Sequence, residues 1–139
     1  MHTEKLGDLV MNIYKNLKTK IERDLKHYDI GMGQMQILMT FFNDIENTLT
    51  QNDLVKLVGV DKGNISRSVL KLLEKGYIEQ SDINKKGYRL TAKGVDLKSE
   101  IVPIFINLNT LITKDIDPSD INQTLITLTK ISENLEGII

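Results

Sequence analysis

A chain of 139 residues, 40% hydrophobic and 27% charged, is long enough to bury a core and too apolar to stay disordered. It has no cysteine, which excludes disulfides, a thiol redox switch and a cysteine-ligated metal. The net charge of −1 argues by itself against a nucleic-acid partner, but residues 62–98 hold nine Lys/Arg against four Asp/Glu, a local +5 that leaves −6 elsewhere.

The N-terminal Met1-His2-Thr3-Glu4-Lys5 has no apolar signal core, and no apolar run reaches the roughly 18 residues a membrane helix needs. A cytoplasmic protein without a membrane partner is expected. The first predicted helix runs from about Thr3 to His27, with Leu6, Val10, Ile13, Leu17, Ile21 and Leu25 at steps of three and four. Such a helix either covers a core or pairs with a second subunit, and its length favours pairing. Tyr28 to Gly31 links it to a second helix, about Met32 to Phe42, with Met35, Leu38, Met39 and Phe42 on its buried face. Gly31-Met32-Gly33 lacks the rest of a phosphate loop and reads as a turn and helix start. Asn43 to Asn47 is a loop, and Thr48-Leu49 offers a short strand.

The stretch from Thr50 to Lys93 carries the strongest signals. Thr50 is an N-cap and Asp53 completes a capping box, after which Leu54, Leu57 and Val58 share one helical face. Gly59 ends this short helix, Val60 plugs the turn and Asp61 caps the next helix. In that second helix Ile65, Val69, Leu72 and Leu73 face a core. Gly63, Asn64, Arg67 and Lys71 lie on the opposite side, flanked by Ser66 and Ser68, with no carboxylate before Glu74. Gly63 permits close backbone approach, and Asn64 and Arg67 can offer paired hydrogen bonds to base edges. Lys62 and Lys71 suit phosphates, because a point charge on a flexible stem carries little directional information. Leu70, at the edge of this face, has no account in this pattern. Gly76 ends the helix; Ile78 to Ile83 and Tyr88 to Leu90 read as strands around an Asn84-Lys85-Lys86-Gly87 turn. Lys85, Lys86 and Arg89 then form a cationic finger for a minor groove or the DNA backbone.

Thr91 caps a further helix, about Ala92 to Lys114, with Leu97, Ile101, Ile104, Phe105, Leu108, Leu111 and Ile112 in a wide apolar stripe and Pro103 inside it. Asp117 and Pro118 start the last helix, where Ile121, Leu125, Leu128, Ile131, Leu135 and Ile138 form a near-heptad seam. The bare Ile138-Ile139 end asks for cover, and a second subunit is the economical source. Neither His2 nor His27 has neighbours at metal-ligand spacing, no nucleophile elbow is present, and Asp115, Asp117 and Asp120 read as caps. No cofactor, metal site or catalytic residue is predicted, and the chain is not read as an enzyme.

The runs Leu49-Thr50-Gln51-Asn52-Asp53-Leu54, Val60-Asp61-Lys62-Gly63-Asn64-Ile65-Ser66-Arg67, Leu73-Glu74-Lys75-Gly76-Tyr77-Ile78 and Leu90-Thr91-Ala92-Lys93-Gly94 resemble the MarR family of transcriptional regulators. The likeness extends weakly to Asp29–Met39 through Gln34 and Leu38. It implies a homodimer on palindromic double-stranded DNA, acting as repressor or activator, often relieved by a small phenolic or other aromatic ligand. The family's wing usually carries an Asp-x-Arg motif whose arginine reaches the minor groove. Here the hairpin is shorter and Asp82-Ile83-Asn84 stands in that place, so Lys85, Lys86 or Arg89 takes over or the wing contributes less.

The expected architecture is mainly α with a small β-hairpin wing: an N-terminal dimerisation helix over 1–28, a winged helix-turn-helix over 29–94 and C-terminal dimerisation helices over 95–139. The DNA-binding candidates are Lys62, Gly63, Asn64, Ser66, Arg67, Lys71, Lys85, Lys86 and Arg89. The alternatives are a winged-helix adaptor whose basic hairpin binds an acidic protein, and a helical ligand-binding dimer without specific DNA binding.

Overall fold

The computed structural model describes residues 5–139, so His2 and the expected helix start at Thr3 lie outside the described residues. The fold is laid around helix α2 (Met32–Phe42), which packs against α1 (Lys5–Leu25), α3 (Gln51–Val58) and α4 (Lys62–Glu74). Enclosure by three helices leaves α2 no free stripe: Ile37, Leu38 and Phe41 are fully buried, with Met35, Phe42 and even Gln34 close behind. This corrects the single-face expectation: Ile37 and Phe41 are inside as well, and Met39, expected there, is half-buried.

A short turn at Lys26–Tyr28 joins α1 to α2 and brings the His27 ring edge-on to Tyr28, centroids 5.2 Å apart. His27 thus meets an aromatic ring at the end of α1.

Three short antiparallel strands, β1 (Leu49–Thr50), β2 (Ile78–Gln80) and β3 (Gly87–Leu90), form a sheet in the order β1-β3-β2. Leu49 stands opposite Tyr88, Ile78 opposite Leu90 and Glu79 opposite Arg89. The first strand is the expected addition to the wing sheet, one residue later than Thr48-Leu49. The second is half its expected length. Buried Ser81 ends it, because its hydroxyl oxygen accepts from the backbone N–H groups of Ile83 and Asn84 at 3.2 and 3.4 Å and turns the chain.

Helix α5 (Ala92–Ile112) starts against the sheet, where a Cβ on Gly94 would overlap the Tyr77 carbonyl oxygen. The chain divides into two compact units inside this helix, one ending at Val102 and one running Pro103–Ile139. Helix α1 falls in the first unit with the winged helix. The second holds the rest of α5 and α6 (Pro118–Glu136), which starts on an Asp117 cap with Pro118 at the first turn. No residue of α6 is buried; Leu125, Leu128, Leu135, Ile138 and Ile139 stand exposed. In the first unit the outer part of α1 exposes Leu6, Leu9, Val10, Met11, Ile13 and Tyr14.

Candidate nucleic-acid interface

The site begins with two helix caps. The Thr50 hydroxyl accepts from the Asp53 N–H at 3.1 Å, and the Asp53 carboxylate accepts from the Thr50 N–H at 2.9 Å. That backbone donor, followed by the Thr50 hydroxyl, holds the Asp53 carboxyl below its ordinary range. Gly59, at φ 79°, closes α3 in the left-handed conformation that glycine enters without strain. Only Leu54 of α3 is fully buried, and Leu57, expected inside, is 62% exposed. At about 100° per residue, Leu54, Val58 and Val55 centre the buried side so that Leu57 turns away from it.

Asp61 then caps α4, accepting from the Asn64 N–H at 2.8 Å and from the Asn64 side-chain amide at 2.7 Å. Arg67 donates to the carbonyl oxygen of the same amide at 2.5 Å, and a Cβ on Gly63 would come within 3.4 Å of its guanidinium. Asp61, Gly63, Asn64 and Arg67 are therefore one surface cluster at the start of the helix, all exposed, with exposed Lys62 and Lys71 beside it. Ile65, Val69 and Leu72 bury the other side and seat the helix; each such side chain contributes roughly 1.5–3 kcal/mol. Ser66 differs from the expectation of an open donor. It is half-buried and its hydroxyl donates to Gln51 at 2.8 Å, tying α4 to α3.

At the wing, exposed Lys85 and Lys86 occupy the tip as expected. The tip is internally braced: the Asn84 side chain accepts from the Lys86 N–H at 3.1 Å, its carbonyl accepts from the Gly87 N–H at 2.8 Å, and the Gln80 amide donates to the Lys85 carbonyl. Arg89 is not gathered with them. Its guanidinium donates to Glu79 at 3.1 Å and to Asp82 at 3.0 Å, and those two carboxylates hold its pKa up. Arg89 thus pairs with both acids of the wing, and Asp82 stands bonded to it rather than open toward phosphates.

One polar connection escaped the sequence reading. Lys75, at the end of α4, donates to buried Gln34 at 2.7 Å and to the Asp29 carbonyl, while Lys93 donates to the Lys75 carbonyl at 2.8 Å and lies over the Tyr77 ring. The outgoing end of α4 is therefore fastened to the start of α2. A glutamine inside an otherwise apolar helix face was the signal available for it.

Two grooves flank α4 in this unit. One, of about 320 Å³, is lined by Gly33, Gln36, Asn64, Arg67, Ser68 and Lys71 among others. The other, of about 580 Å³, is lined mainly by charged side chains, including Glu22, Lys26, Glu74 and Lys75. The Met and Phe residues of α2 go chiefly to core packing. Among the described residues no group of three or more His, Asp or Glu stands in metal-binding arrangement, and no helix is long and apolar enough to cross a membrane.

Two helices joined by a tight turn, followed by a braced hairpin, define a winged helix-turn-helix protein with long flanking helices. Comparison with known proteins agrees. A family model described as MarR family matches residues 29–86. The chain is 28% identical over 121 residues to the HTH-type transcriptional regulator BilQ of Clostridioides difficile (strain CD3), covering 84% of this chain and 80% of that one. Its fold is similar to that of a MarR transcriptional regulator from Methanosarcina mazei Go1, with TM-score 0.86, 24% identity, and coverage of 100% of this chain and 94% of that one. It is also similar to S. aureus MepR in a MepR–DNA complex, with TM-score 0.84, 22% identity, and coverage of 96% and 99%. Over residues 29–86 the chain is similar to the MarR family of transcriptional regulators, and along most of its length it is similar to the regulator BilQ.

Proposed function

We propose that this regulator binds a palindromic operator as a homodimer and represses by occupying it, with one α4 in each of two successive major grooves. The observation that carries the reading is the outer face of α4: Lys62, Gly63, Asn64, Arg67 and Lys71 are all exposed on a helix whose other face is locked into the core. Donors for base edges and cations for phosphates stand together, and the first carboxylate after the cap is Glu74. Lys85 and Lys86 extend the cationic surface along the backbone. The exposed aliphatic side chains of α1 and α6 support a second copy as their cover, which would double the reading head. Residues 1–28 and 95–139 are assigned to that dimerisation, and 29–94 to DNA.

Selection of duplexes from a random library by the full chain tests this. The enriched sequence is expected to be an inverted repeat with half-site centres about 10–10.5 base pairs apart, or a multiple of that. A library that emerges without any enriched sequence would contradict operator binding, and binding to an acidic protein instead would favour an adaptor.

A further inference from the structure

The outer side of α4 is polar except at one position. Leu70 follows Ser66 by four residues and Arg67 by three, so the three share one strip of surface. It is 57% exposed, whereas Ile65, Val69 and Leu72 of the same helix are buried. A solvent-facing leucine is ordinary on a protein surface. This one interrupts a run from Lys62 to Leu73 that contains no carboxylate, with exposed Arg67 and Lys71 on either side. It does not serve the core, and it sits where the proposed reading places the major groove.

On the floor of that groove the one apolar group displayed by the bases is the C5-methyl of thymine. We propose that Leu70 is a specificity-determining residue that packs on a thymine methyl in each half-site; this rests on the operator-binding reading above. The geometry also fixes the neighbourhood of that thymine. Three residues along a helix advance about 4.5 Å, against about 3.4 Å between successive base pairs. The thymine therefore lies one or two base pairs from the base pair that Arg67 reads, and a guanine is the usual partner of an arginine there. Lys71, next in the chain, holds the adjacent phosphate. Glu74, one turn further on, repels phosphate and marks the end of the reading surface.

The test uses the duplex selected by the full chain, with its thymines replaced one at a time by uracil. That change removes the methyl and keeps the hydrogen-bonding pattern. One such replacement in each half-site removes two methyl groups and is expected to weaken the wild type by about fifteenfold, about fourfold for each methyl. Leu70→Ala should bind the thymine duplex more weakly, ignore that same replacement, and still respond when the guanine beside it is changed. Its melting curve should match the wild type, since the side chain is exposed. A wild type indifferent to every uracil, or a Leu70→Ala variant that still feels the critical one, would overturn the assignment. A wild type that shows no preference among duplexes would bring down the operator reading itself, and Leu70's role with it.

Discussion

In the proposed operator reading, Arg67 is the residue on which base recognition turns. Its guanidinium lies over Gly63 and donates to the Asn64 side chain. Arg67→Ala is expected to weaken binding to the selected duplex by about 1–3 kcal/mol and to relax the preference at one base pair per half-site. Equal affinity in a fluorescence titration would remove it from the reading surface. The wing cations divide differently. Replacing both Lys85 and Lys86 with Ala should lower the slope of log affinity against log salt by about one per lysine lost in each subunit. Arg89→Ala should change that slope less than either lysine alone, because its charge is already spent on Glu79 and Asp82. Salt titrations of the three variants separate the two roles. The sequence showed which wing residues are cationic; it did not show that Arg89 faces two acids, since the Glu79–Arg89 pairing is set by strand register.

At the scale of elements, the turn between α3 and α4 was the most legible part of the chain. Its caps are local: Thr50, Asp53, Gly59 and Asp61 act on neighbours within a few residues, and all four stand where the pattern placed them. Thr50→Ala should cost about 1 kcal/mol in denaturant unfolding, as for other N-caps. The Asp53 carboxyl adds a pH signature. Its folded pKa lies below the unfolded value near 3.8, so its contribution is fully present above that value and is lost as pH falls through the folded one. The stability gap between wild type and Asp53→Asn should therefore be flat at neutral pH and close on strong acidification; a gap that persists in acid would contradict the capping account. Features that depend on distant partners were less legible. Leu57 reads as apolar and helical, yet its exposure depends on where α2 and α4 sit. The early end of β2 comes from one buried serine, and the Lys75–Gln34 contact joins residues 41 apart in the chain.

For the molecule as a whole, the exposed leucines of α6 are the main support for the proposed second copy. Sedimentation of the full chain should show a dimer, and Leu125→Glu with Leu128→Glu should shift it toward monomer and weaken operator binding together. Monomeric wild type at micromolar concentration would count against the doubled reading head. The helical pattern announced these apolar faces plainly; it could not say what covers them, because periodicity marks a face without naming its partner. The central claim is sequence-specific binding to duplex DNA through α4. The most direct measurement is the ratio of wild-type affinities for the selected duplex and for a scrambled duplex of equal length, at physiological salt. The account predicts a ratio of about 10³ or more, falling sharply in Arg67→Ala. A ratio near one would contradict it.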